Sequence, residues 1–134
     1  LNDLIDAPER LRDFQTLAVP GGFSFGDDIA SGRVLANRMR YRLGDALRAF
    51  VDDGKLVIGI CNGFQVLVKM GLLPDSGGGF KQEVTLTHND SARFEDRWVW
   101  LETDTATPCV WVRDIDTIEL PIRHGEGKFM APPA

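Results

Sequence analysis

The chain has 134 residues, 43% hydrophobic and 26% charged, with a formal net charge of −5. That length suits one domain with a real core, and the composition is globular rather than disordered. The negative balance repels a phosphate backbone, which argues against nucleic acid as a partner. No apolar run approaches the roughly 20 residues of a membrane span, so no membrane partner is expected.

The chain opens LNDLIDAPER, which reads as the middle of a domain rather than a signal peptide. The run FQTLAV (14–19), closed by Pro20-Gly21-Gly22, predicts a strand and a turn. FSFGDDIAS (23–31) reads as a loop. From Gly32 onward Val34, Leu35, Met39, Leu43, Ala46, Leu47, Phe50 and Val51 recur near helical spacing, and Gly54 stops that helix. KLVIGI (55–60) is continuously apolar after its lysine, as for a parallel strand covered on both faces. A second helix runs from about Asn62 to Met70, capped by Gly71. Strand, helix, strand, helix is the pattern of an α/β layer fold.

The second half has a different rhythm. DSGGGFKQ reads as a flexible linker, and EVTLTHN, RWVWLET, CVWV and TIELPI as short, more exposed strands, antiparallel by their alternation. Trp98, Trp100 and Trp111 are expected to pack this layer. Cys61 and Cys109 stand far apart with no CxxC and no nearby ligand cluster. Neither a disulfide scaffold nor a metal site is expected, and that usage fits a reducing cytoplasm.

Gly59-Ile60-Cys61-Asn62-Gly63 has the form G-x-C-x-G, the cysteine version of the nucleophile elbow. A strand that turns straight into a helix brings the positions two before and two after the nucleophile together, and side chains there would collide. The cysteine then heads a helix, a setting that favours thiolate over thiol, and the N–H of Asn62 is placed for a developing oxyanion. The bland alternative is a structural cysteine beside chance glycines. The loop Pro20–Asp28 is also glycine-rich, but it lacks the Lys-Ser/Thr pair of a phosphate loop and carries aspartates instead. Gly22 is a candidate second oxyanion donor, and Asp27 and Asp28 read as helix-start and loop residues. His88 reads as a strand-end histidine. His124, read as lying just past a strand, has Glu126 two residues on, so chemistry alone makes Cys61–His124–Glu126 a candidate triad.

Three motifs coincide: PGGFSFGDDIASGRVLANRMR, GKLVIGICNGFQVLVKMGLLP and LPIRHGEGKF. Together they resemble the class I (triad-type) glutamine amidotransferases, specifically the glutaminase of phosphoribosylformylglycinamidine synthase, over nearly the whole chain. THNDSARFEDRWV resembles one branch of that family. The resemblance implies an α/β, flavodoxin-like fold: a mostly parallel sheet flanked by helices, with added antiparallel strands. It implies one partial domain over 1–134, shortened at both ends. It makes Cys61 the nucleophile that releases ammonia from glutamine, with Gly22 and Asn62 as oxyanion donors and Gln65 holding the substrate. The family's catalytic histidine and glutamate lie in a His-Pro-Glu motif that does not occur here. HGEG, with His124 and Gly125, then belongs to a substrate-side loop, and the local triad stands as the alternative. The implied partners are glutamine and an ATP- and magnesium-dependent synthetase in the cytoplasm, with no cofactor in this domain. Another cysteine-elbow α/β hydrolase and a non-catalytic binding remnant are the rival readings.

Overall fold

The computed structural model describes residues 1–27 and 32–132, arranged in two compact units, 1–86 with 129–132, and 87–128. Asp28 and the end of the predicted 23–31 loop lie outside the described residues. The fold is α/β. Among the described residues no helix is long and apolar enough to cross a membrane.

The first unit begins with a short helix, α1 (Asn2–Asp6), and a 3-10 turn, Pro8–Asp13. Proline suits the start of that turn because its missing N–H would have had no partner there. β1 (Thr16–Val19) and β2 (Leu56–Gly59) pair in parallel, with Thr16 beside Leu56 and Val19 beside Gly59. A parallel pair needs a long crossover, and α2 (Arg33–Asp52) supplies it. Ala36, Met39, Leu43, Leu47 and Phe50 form its buried stripe, at steps of three and four residues. Val51, predicted on that stripe, falls on the exposed side. The helix stops as expected: Gly54 takes φ +72° and donates to Val51 O, while Lys55 N reaches back to Phe50 O. Gly32, at φ +71°, starts it. A Cβ there would lie 2.8 Å from Val66 Cγ2, so the glycine lets α2 approach α3.

α3 (Asn62–Met70) ends at Gly71, as predicted. Val66, Leu67, Val68 and Met70 are almost fully enclosed, while Gln65 and Lys69, four residues apart, share the helix's less buried side. Leu17, Val19 and Val57 join the same core. The other side of the β pair departs from expectation, since KLVIGI is not covered on both faces. Leu56 and Ile60 are exposed, because among the described residues helices pack on one side only. Nor is DSGGGFKQ a free linker. Phe80 is buried under the Arg48 guanidinium, 4.3 Å from its ring centre, and its N–H donates to Asp75 Oδ1. β3 (Thr85–Thr87) and β6 (Lys128–Met130) pair where the chain leaves and re-enters this unit.

In the second unit β4 (Glu95–Glu102) and β5 (Thr117–His124) form an antiparallel ladder from Glu95–His124 to Glu102–Thr117. CVWV is not a strand. Cys109 precedes a 3-10 turn at Val110–Val112. Pro108 before it has no N–H for a ladder, and turn hydrogen bonds such as Ile115 N to Val112 O occupy the backbone that follows. The tryptophans do not pack a core either. Trp98, Trp100 and Trp111 are 63%, 68% and 40% exposed. Trp98 and Trp100 share the face opposite to Val99 and Leu101, and within this unit no layer covers it.

Two glycine substitutions should move stability in opposite directions. A Cβ at Gly63 would lie 1.9 Å from Val19 O, whereas one at Gly44, inside α2, meets nothing within 4 Å. In chemical denaturation, Gly63→Ala should cost more than about 2 kcal/mol. Gly44→Ala should add about 0.5–1 kcal/mol. A neutral Gly63→Ala would contradict the close strand–helix contact.

Candidate functional site

Three features meet at residue 61: the end of β2, the start of α3 and the segment leaving β1. Ile60 N donates to Val19 O at 3.0 Å, so the strand pairing holds up to the turn itself. Cys61 then adopts φ +55°, ψ −116°, a region that L-residues avoid and that tends to persist at functional sites. Its carbonyl accepts from Phe64 N at 3.0 Å and Gln65 N at 3.3 Å, which starts the helix. The side chain is left exposed as a free thiol.

The flanking glycines behave as the sequence predicts. A Cβ on Gly59 would lie 2.8 Å from both Gly63 O and Phe64 Cα, and one on Gly63 would strike the Val19 carbonyl. The structure adds Gly21, where a Cβ would come within 3.0 Å of Cys61 Cβ and 3.7 Å of its sulfur. The chain after β1 therefore runs directly past the thiol. Gly22 follows at φ +125°, and among the described residues nothing lies within 4 Å of where its Cβ would stand. Asn62 is buried, its Oδ1 accepting from Ser24 Oγ and its Nδ2 donating to Gln65 Oε1 at 3.2 Å. Gly22, Cys61, Asn62 and Gln65 are thus brought together, and Ser24 joins them. Sequence reading missed Ser24, since a serine in a glycine-rich loop carries no signal of its own. A hollow of about 460 Å³ between the Pro8–Asp13 turn and α2 is lined by neither cysteine.

The second unit places His124 as the last residue of β5, not past it. Its Nδ1 lies 3.0 Å from Asn89 Oδ1. That oxygen also accepts from Gly127 N at 3.1 Å, while Asn89 Nδ2 donates to His124 O at 2.8 Å and Arg93 O at 2.9 Å. Asn89 N donates to Gly125 O. A Cβ on Gly127 would lie 2.1 Å from ring atoms of His124, so the second glycine of HGEG makes room for the imidazole. Glu126 does not take the position that a triad acid would hold at Nδ1. It lies 3.9 Å from His88 Nδ1. Asn89 was not predicted: in THND it reads as an ordinary turn former. Among the described residues no cluster of histidine, cysteine and carboxylate side chains could hold a metal.

Comparison with known proteins places this geometry in context. Residues 1–134 match the CobB/CobQ-like glutamine amidotransferase domain. The chain is 50% identical to the phosphoribosylformylglycinamidine synthase subunit PurQ of Dehalococcoides mccartyi, over 99% of this chain and 52% of that protein. It is 41% identical to the PurQ of Methanococcus maripaludis strain C7, over 96% of this chain and 47% of that one. The structure of PurLQS from Thermotoga maritima superimposes with a TM-score of 0.69 at 32% identity, over 90% of this chain and 52% of that one. The chain spans about half the length of the curated relatives it matches.

Glu95, opposite His124 in the ladder, offers a test of the cluster's electrostatics. The Ser91 hydroxyl, 2.6 Å away, holds its carboxyl below the usual value, helped by Arg97 and by His124, while desolvation opposes the shift. A lowered folded-state value means that the unfolded chain binds the proton more readily. The stabilisation is therefore present above the unfolded value and is lost as pH falls through the folded one. Ser91→Ala should raise the Glu95 midpoint, read by carboxyl-carbon NMR titration, and shrink that acid-dependent loss. An unchanged midpoint would show that Ser91 is not the cause.

Proposed function

Because the chain belongs to the CobB/CobQ-like glutamine amidotransferase domain family, we propose that it carries the nucleophile of a glutaminase. The observation behind this reading is Cys61, exposed at φ +55° at the head of α3, with glycines wherever a side chain would crowd it. Its sulfur attacks the carboxamide carbon of glutamine. An S–C bond forms, the C–N bond breaks, and ammonia leaves with the thiol proton. Water then cleaves the thioester, giving glutamate and the free thiol. The N–H groups of Asn62 and Gly22 are assigned to the oxyanion, and Gln65 to holding glutamine. No His-Pro-Glu occurs in the sequence, so no residue of this chain is assigned as the catalytic base.

Ammonia at neutral pH is mostly ammonium, which is not a nucleophile, so the product must pass directly to a consuming enzyme. Relatives named as subunits of phosphoribosylformylglycinamidine synthase, and the similarity to PurLQS, support a synthetase as that partner. It would convert formylglycinamide ribonucleotide to its amidine in purine synthesis, with ATP and magnesium bound on the synthetase rather than on this domain. Two free thiols without a disulfide agree with a cytoplasmic setting.

Differential alkylation tests the reading. Both cysteines are exposed, so access alone does not separate them. Iodoacetamide at neutral pH should label Cys61 faster than Cys109, and glutamine, but not asparagine, should slow labelling at Cys61 only. Preferential labelling of Cys109, or equal protection by both amides, would overturn it.

A further inference from the structure

His124 is held from two directions. Asn89 Oδ1 meets its Nδ1 at 3.0 Å, and the ring lies against the backbone of Gly127, where a Cβ would collide with it. The orientation of the Asn89 amide is fixed by its other contacts. Nδ2 faces two carbonyl oxygens, of His124 and Arg93, and so must be the donating end. Oδ1 receives the N–H of Gly127 and is the accepting end. An accepting oxygen 3.0 Å from Nδ1 requires the proton on Nδ1. In the neutral imidazole the lone pair then resides on Nε2, the reverse of the arrangement that a free histidine side chain favours.

We propose that Asn89 is a positioning residue that fixes His124 as the Nδ1–H tautomer, leaving Nε2 as the ring's hydrogen-bond acceptor for a ligand N–H group. The tautomer rests on geometry alone. Asn89 also joins two stretches far apart in sequence. Its backbone N–H and its side chain together tie 89–93 to 124–127 through Gly125 O, His124 O and Gly127 N. The asparagine amide supplies both the acceptor for the ring and the donors for the carbonyls; aspartate would keep the first and lose the second.

The chain has two histidines, and only His124 meets Asn89, so His88 is an internal control. Nitrogen–hydrogen correlation spectra of the 15N-labelled chain at about pH 9, where an ordinary imidazole is neutral, identify the protonated ring nitrogen directly. Wild type should show His124 protonated at Nδ1. Asn89→Ala should shift it to the Nε2–H form, and Asn89→Asp should keep Nδ1–H despite a looser loop. Gly127→Ala displaces the ring while leaving Asn89 in place and should give the same shift as Asn89→Ala. It therefore serves if the alanine variant does not fold. A wild-type spectrum with the proton on Nε2, or an Asn89→Ala spectrum unchanged from wild type, would overturn the positioning role.

Discussion

The close contact of Gly63 with the end of β1 is the constraint on which the first unit depends. Backbone stands against backbone there, with the Val19 carbonyl where a Cβ would be. Moving α3 outward by even one methyl would separate it from β1 and β2, whose apolar faces it shares with α2. Because the helix starts so close to the sheet, the chain must reverse within one residue, and that residue is driven to φ +55°. The strain at Cys61 is therefore a product of packing. It persists because the surrounding core over-determines it. The same reversal lifts the thiol clear of both elements and brings Gly21 beside it.

A second consequence concerns what surrounds the thiol. The elbow leaves Asn62 buried beneath the turn, where an unpaired amide would be costly. Ser24 and Gln65 satisfy it. That pairing ties the loop after β1 to the first turn of α3, so a polar contact holds the glycine-rich segment to the Cys61 elbow. In the second unit a single asparagine does comparable work, joining two loops and orienting one imidazole. Each unit thus organises its chemistry-bearing residues around a side-chain amide, a group that donates and accepts from a single rigid plane.

Much of the first unit was legible in the sequence. Strand and helix periods differ, and the glycines at 54 and 71 mark helix ends by a conformation that other residues resist. The elbow was legible for the same reason: glycine at both flanks of Cys61 has a steric meaning before any partner is known. The second half was less so. CVWV has the composition of a strand, yet strand propensity expresses packing against neighbours, and the Val110–Val112 turn has no ladder partner. The tryptophans misled in the same way, because aromatic character does not reveal whether a layer lies above it. Asn89 was invisible because its role depends on contacts with residues 35 to 38 positions away.

The central claim is that the strained Cys61 is the nucleophile of a glutamine-specific site. The most direct measurement is to treat the chain with a chloromethyl ketone analogue of glutamine and map the modified residue by peptide mass spectrometry. The account predicts one modification, at Cys61, suppressed by glutamine and absent from Cys61→Ala. Modification of Cys109 at a comparable rate, or labelling of Cys61 that glutamine does not suppress, would contradict it.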